Sequence, residues 1–186
     1  MKLKIICTAA LVFVVASAVM GQYRSSEKSR IGVGMSIFNP TGSELREIGK
    51  NWFGPTIDVN LTFDQFDRPT TFLSIGFFGK DASLSRASTT PITATYIKRF
   101  GKDPFSCWYM GGGLGAYLVK FDRYGWPSWV SYKGTNYGCH LMVGREFAGF
   151  YFVNFRYDMV SKLSAGGFGD VDFSGWSLSA GTRYTY

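Results

Sequence analysis

The sequence predicts an all-β fold, an eight-stranded antiparallel up-and-down β-barrel that crosses a membrane. Three observations carry this expectation. Eight segments alternate apolar and polar residues with a period of two, the period of a strand that faces unlike surroundings on its two sides. The connections between them alternate in length, short with long. Aromatic residues collect near the ends of the apolar rows, where a membrane barrel places its interfacial girdles.

Residues 1–21 read as a signal peptide. Lys2 and Lys4 supply a positive start, Ile5 to Val15 an apolar run, and Ala16-Ser17-Ala18 a small-residue cleavage site, with a second after Gly21. The apolar run is short for a spanning helix, which needs about 20 residues. Cys7 lies inside that run, too early for a lipid-modified cysteine. Residues 22–186 are expected to form one barrel domain.

The first strand is expected from Arg30 to Asn39, with Ile31, Val33, Met35 and Ile37 on one face. The second, Thr56 to Asp64, sets Ile57, Val59, Leu61 and Phe63 against Asp58, Asn60 and Thr62. The third, Thr70 to Gly79, carries Thr71, Leu73, Ile75 and Phe77. The fourth, Thr90 to Phe100, sets Ile92, Ala94 and Tyr96 against Thr93, Thr95 and Arg99. Pro91 stands near its start, where proline is tolerated. The fifth, Phe105 to Val119, carries Trp108, Met110, Leu114, Ala116 and Leu118. The sixth, Thr135 to Phe147, sets Tyr137, Cys139, Leu141 and Val143 against His140, Met142 and Glu146. The seventh, Phe150 to Met159, sets Tyr151, Val153, Phe155 and Tyr157 against Asn154 and Arg156. The closing strand, Gly175 to Tyr186, puts Trp176, Leu178, Ala180, Thr182, Tyr184 and Tyr186 on one side. Ser177, Ser179, Gly181, Arg183 and Thr185 take the other.

Short turns are expected at Asp64 to Pro69, Gly101 to Pro104 and Ala148-Gly149. Long loops are expected at Pro40 to Phe53, Lys80 to Ser88, Lys120 to Gly134 and Asp158 to Asp172. The first long loop contains SELREIGK, which reads as a short helix capped by Thr41 or Ser43.

If the apolar rows face lipid, the polar rows face a narrow interior that side chains fill. Charges there must pair, because a lone buried charge is costly. Asp58, Arg99, Glu146, Arg156 and Arg183 are therefore expected to form a lumenal polar network. Asp64 shares their parity. The loop Lys120 to Gly134 is the candidate contact surface, through Tyr124, Trp126, Trp129 and Tyr132, with Phe121, Lys120, Arg123 and Lys133 beside them. Aromatics next to cations suit both binding surfaces and loops lying on lipid headgroups.

Other signals are weak. Gly111-Gly112-Gly113-Leu114-Gly115 lacks the lysine and helix of a phosphate loop and lies inside a strand. His140 is the one histidine and has no serine partner at strand spacing, so no catalytic residues are assigned. No metal site is expected: the cysteines are far apart, and Asp170 and Asp172 lack the pattern of a calcium loop. Cys107 and Cys139 are expected on the order of 25 Å apart at strand rise. A disulfide needs Cα atoms within about 7 Å, so both are expected as free thiols. With 20 Lys and Arg against 13 Asp and Glu the net charge is +7, which suits anionic partners such as lipopolysaccharide phosphates. No basic run interleaved with aromatics occurs, which argues against nucleic acid.

On strand number, loop rhythm, leader and the closing residues Trp176 to Tyr186, the chain resembles the small eight-stranded outer-membrane β-barrel proteins of bacteria, the OmpA-type, OmpX-type and OmpW-type group. Segments such as WYMGGGLGAYLV (Trp108 to Val119) and FYFVNFRY (Phe150 to Tyr157) are similar to strands of porin-like proteins. The resemblance implies a Gram-negative-type outer membrane, with both termini periplasmic. It implies that Tyr184 and Tyr186 form the membrane-insertion signal read by the barrel-insertion machinery. Outer-membrane lipid and lipopolysaccharide are the other implied partners; no cofactor is expected, and a monomer is the expected state. The expected function is a non-enzymatic outer-membrane barrel that anchors exposed loops and supports envelope integrity. The alternatives are a narrow channel for small or apolar solutes and a soluble, exported, lipocalin-like binding protein.

Overall fold

The computed structural model describes residues 31–65, 68–101, 103, 106–125, 128–148, 151–165 and 169–183. The expected signal peptide, Trp126, Tyr184 and Tyr186 lie outside the described residues. The strands are β1 (Ile31–Pro40), β2 (Trp52–Phe63), β3 (Pro69–Gly76), β4 (Phe78–Asp81), β5 (Ser85–Phe100), β6 (Cys107–Gly125), β7 (Ser128–Phe147), β8 (Tyr151–Val160), β9 (Leu163–Ser164), β10 (Asp170–Val171) and β11 (Gly175–Arg183). One helix, α1 (Ser43–Ile48), joins β1 to β2.

Every pairing in the main sheet is antiparallel. The ring runs β1, β2, β3, β5, β6, β7, β8, β11 and returns to β1. Closure is made by β1 against β11, from Gly32 opposite Arg183 to Pro40 opposite Gly175. Pairing every strand on both sides leaves no open edge in the closed part, which is what lets strands cross a lipid layer. The third stave is broken at Phe77, and β4 continues it against β5. The break has a local cause: the Phe77 N–H donates to Pro55 O at 3.1 Å, and its carbonyl presses on Gly54, where any Cβ would collide.

The period-two alternation orients the strands as expected. On β8, Phe152, Asn154, Asp158 and Val160 are buried while Tyr151, Val153, Phe155, Tyr157 and Met159 are exposed. On β11, Ser177, Ser179 and Arg183 are buried while Trp176 and Leu178 are exposed. The apolar rows therefore look out and the polar rows look in.

Two stretches read as loops are strand. Lys120 to Gly125 continues β6 and Ser128 to Gly134 begins β7, so the third expected long loop is a tall hairpin paired from Cys107 opposite Glu146 to Gly125 opposite Ser128. Lys80 to Ser88 is likewise a hairpin, with Asp81 opposite Arg86. The pattern hid these extensions because a sheet wetted on its outer face no longer needs an apolar row there. The short helix is present, with Leu45 and Ile48 buried. Its N-cap is Gly42, with no side-chain cap. Thr41 instead ties the helix to the β10–β11 connection, its N–H and hydroxyl both donating to Ser174 O at 2.9 Å. Ser43 donates to the adjacent Glu44 carboxylate at 2.7 Å, which holds that carboxyl below its ordinary range.

Candidate functional site: the barrel interior and the outward rim

The interior is stratified. At the end of the short turns, Arg99 grips Glu146 with two parallel bonds of 2.7 Å and donates a third to Pro69 O at 2.7 Å. Arg183 reaches the same carboxylate at 3.3 Å and Asp58 at 3.5 Å. Asp58 also accepts from the Ser74 hydroxyl. Fork-on-carboxylate pairing is the strong geometry for arginine. The Arg183 guanidinium lies among three rings, 4.5 Å from the centroid of Phe72, 5.2 Å from Tyr109 and 4.3 Å from Phe152. Tyr109 lies over its cross-strand neighbour Gly144, where a Cβ would strike its ring. Below the network, the Arg68 guanidinium is paired to Asp64 at 2.8 Å and fixes the β2–β3 turn.

The middle layer is a second, separate ion group. Arg156 is paired with Asp158, its Nε donating at 2.9 Å, and it also donates to Thr93 Oγ1 at 3.2 Å. The Tyr117 hydroxyl donates to the same Asp158 oxygen. His140 stands directly opposite Asp158 on β7, 1% exposed, with Nε2 3.0 Å from Thr95 Oγ1.

Toward the long-loop end the interior turns apolar. Phe38, Trp52, Phe78, Val119, Phe121, Val160, Val171 and Phe173 pack together with Leu45 and Ile48 of α1. Phe38 stands edge-on to Trp52 at 5.8 Å and lies 5.6 Å from Phe78. The Trp52 indole N–H donates to Gly49 O at 2.7 Å, which pins the helix over the mouth. A small cavity of about 40 Å³ lies alongside both ion groups and reaches Phe78 of the plug, lined by Ser36, Ser177, Ser179, Asp58, Arg156 and Arg183 among others. A water needs roughly 10–15 Å³ of such space, so about three fit.

The outer surface is banded. On β6 the outward row from Trp108 through Met110 and Leu114 to Leu118 is exposed and apolar. At about 3.4 Å per residue and a tilt of about 45°, that row stands roughly 25 Å high, the height of a hydrocarbon band. Below it, Arg145 stacks over Trp108 at 5.5 Å and Phe147 at 5.1 Å. Above it, Lys120 replaces the apolar residues. Tyr96, Trp108, Tyr151, Tyr157 and Trp176 are all exposed near the edges of the band. Among the described residues no helix is long and apolar enough to cross a membrane.

Comparison with solved structures agrees with this geometry. The Neisserial surface protein A structure matches with a TM-score of 0.59 at 17% identity, covering 87% of this chain and 100% of that one. The N-terminal β-barrel domain of Pseudomonas aeruginosa OprF matches with a TM-score of 0.50 at 14% identity, covering 86% and 100%. The fold is that of the small outer-membrane β-barrels. No family model matches the sequence, and no curated protein matches it significantly.

Within this outer-membrane barrel fold, the five residues expected in one lumenal network fall into two groups. Asp58, Arg99, Glu146 and Arg183 meet; Arg156 stands in the layer above with Asp158 and Tyr117. Asp158 stands where the expected seventh strand and the expected last loop overlap and is not in the expected network, although its parity with Asn154 and Arg156 points inward. The aromatic cage of Arg183 was missed for a different reason: parity says which way Phe72, Tyr109 and Phe152 point, but not that they converge.

The expected contact surface also divides. Tyr124 and Trp129 face each other across the hairpin with ring centroids 5.7 Å apart, while Tyr132 points inward and packs on the plug. Cys107 is buried beside Glu146, Cys139 is partly buried on the other face, and both are free thiols. Among the described residues no cluster of three or more metal-ligating side chains occurs.

Proposed function

We propose that the protein stands in a Gram-negative-type outer membrane as a non-enzymatic barrel, both termini periplasmic, anchoring its outward hairpins and helix and supporting the envelope. The observation that carries this reading is the filled interior. Two ion groups and an apolar plug fill the lumen around a cavity of about 40 Å³, which favours an anchor over a solute path. His140 is sealed inside the wall, which favours a non-catalytic role. Membrane lipid, lipopolysaccharide and the insertion machinery are the partners proposed, and a monomer is the proposed state.

Reconstitution in planar bilayers tests the reading. Purified protein that migrates as a heat-modifiable barrel is expected to give no stepwise conductance. Steady single-channel steps from the native chain would replace the anchor with a channel.

A further inference from the structure

We infer that the inward face of the β1–β11–β8 seam holds a buried cluster of water that joins the two ion groups of the lumen. The sequence builds the space for it. Across the seam one inward rung reads Ser36, Ser179 and Asn154, and the next reads Phe38, Ser177 and Arg156. On the other side of the serine rung, Gly34 and Gly181 stand opposite each other. The Phe152 ring lies over both, 3.3 and 3.0 Å from where their Cβ atoms would sit. Three serines and an asparagine are too short to reach the far wall. The cavity of about 40 Å³ is what they leave, lined by these four, by Phe152 and by both Arg156 and Arg183.

The lining residues carry polar atoms that find no hydrogen bond among the described residues. Arg183 is 2% exposed, and its Nη2 has no acceptor. Asn154 is 5% exposed, and its Oδ1 has no donor. The Tyr109 hydroxyl lies close to both of them and closes a bond to neither. Ser36 and Ser179 share one bond of 2.6 Å, so that pair of hydroxyls has one proton left to give. Buried donors and acceptors are costly to leave unpaired. The occupant must therefore accept from Arg183 and donate to Asn154, and water does both. An anion answers the guanidinium, but it repels the Asn154 oxygen and meets Asp58 and Asp158, which line the same space. A cation answers that oxygen and meets two arginines. At roughly 10–15 Å³ for each water, about three are held. They run from Arg183, in the group of Glu146 and Arg99, to Arg156, in the group of Asp158 and Tyr117. Hydrogen bonds in a low-dielectric interior polarise one another. The cluster makes one cooperative network of two groups that share no ion pair among the described residues.

The test uses the full mature chain refolded in detergent micelles, with its asparagine and arginine side chains isotopically labelled. Magnetisation transfer from water to the Asn154 amide and the Arg183 guanidinium is read by NMR. Long-lived water contacts are expected at both, although both side chains are buried. The joining role is read separately by a double-mutant cycle. Glu146→Gln perturbs one group, Tyr117→Phe the other, and their unfolding equilibrium constants are compared. In the parent chain the two effects are expected to depart from a simple product by roughly fivefold. In an Asn154→Leu background, where the side chain fills space without offering an acceptor, that departure and the water contacts are expected to vanish. Lack of water contacts at Asn154 and Arg183 in the parent chain overturns the site, and that measurement needs no variant to fold. Independent effects of the two substitutions in the parent chain overturn the joining role. Stability that rises with chloride at fixed ionic strength gives the space to an anion and overturns the water cluster.

Discussion

Replacing Glu146 by Gln is the most searching perturbation of the interior. Glu146 is 5% exposed and serves two arginines, Arg99 through both oxygens at 2.7 Å and Arg183 at 3.3 Å. The amide keeps the size and removes the charge. Arg99 then keeps the Pro69 carbonyl and one neutral amide oxygen in place of two charged ones, and Arg183 keeps Asp58 at 3.5 Å and its aromatic cage. Removing one partner of a buried ion pair costs about 3–5 kcal/mol, because the remaining charge stays desolvated. Asp58→Asn should cost less, near the lower bound, since Arg183 retains Glu146 and the rings. The double replacement E146Q/R99M should recover much of the loss, because it removes one of the two stranded cations. Urea unfolding of the barrel in lipid vesicles, followed by tryptophan fluorescence and by gel migration, measures all three. A loss under about 1 kcal/mol for Glu146→Gln would refute the idea that these charges depend on one another.

Other outcomes follow from the same geometry. Trp52→Ala should cost about 3–5 kcal/mol and free α1, so that trypsin added from outside cuts after Arg46 or Lys50 while the strands stay intact; unchanged resistance would argue against the plug. Gly144→Val should expel the Tyr109 ring and open the Arg183 cage, lowering stability more than Val143→Ala on the outer face of the same strand. Burial raises the Asp122 carboxyl, but hydrogen bonds from Lys120 and Ser131 and the charges of Lys120 and Lys133 outweigh it, so the pKa lies below the ordinary 3.8. The stabilisation from this contact is therefore full above that ordinary value and fades as pH falls through the lowered one. Carboxyl titration by NMR should find the midpoint below 3.8, and a midpoint above it would contradict the pairing. Cys107 should resist a water-soluble thiol reagent until the barrel unfolds, and no oxidant should link it to Cys139.

The wall of the barrel was legible in the sequence, and its contents only partly. Alternation located the eight staves because lipid and lumen impose opposite demands on neighbouring residues, as in Val153, Asn154 and Phe155. It failed at Lys120 to Gly134, where Lys133, Ser131 and Trp129 share one face and none of the usual apolar markers remain. Inside, charge and parity alone point Asp58, Arg99, Glu146, Arg156 and Arg183 into one lumen without saying which of them meet. The division into layers was not legible, because it depends on how far each strand is offset from the next. The plug was hidden for the same reason: Phe38, Phe78, Phe121 and Val160 carry inward parity at the upper ends of their strands, and only the register shows that those ends meet.

Arg183 belongs to the last described strand, and its side chain touches groups from β2, β3, β6, β7 and β8. A chain halted before that residue would carry Asp58 without its counter-charge and three rings around an empty centre. A barrel that lacks this residue is therefore expected to be markedly less stable, so the far end of the polypeptide guards the strength of the whole wall.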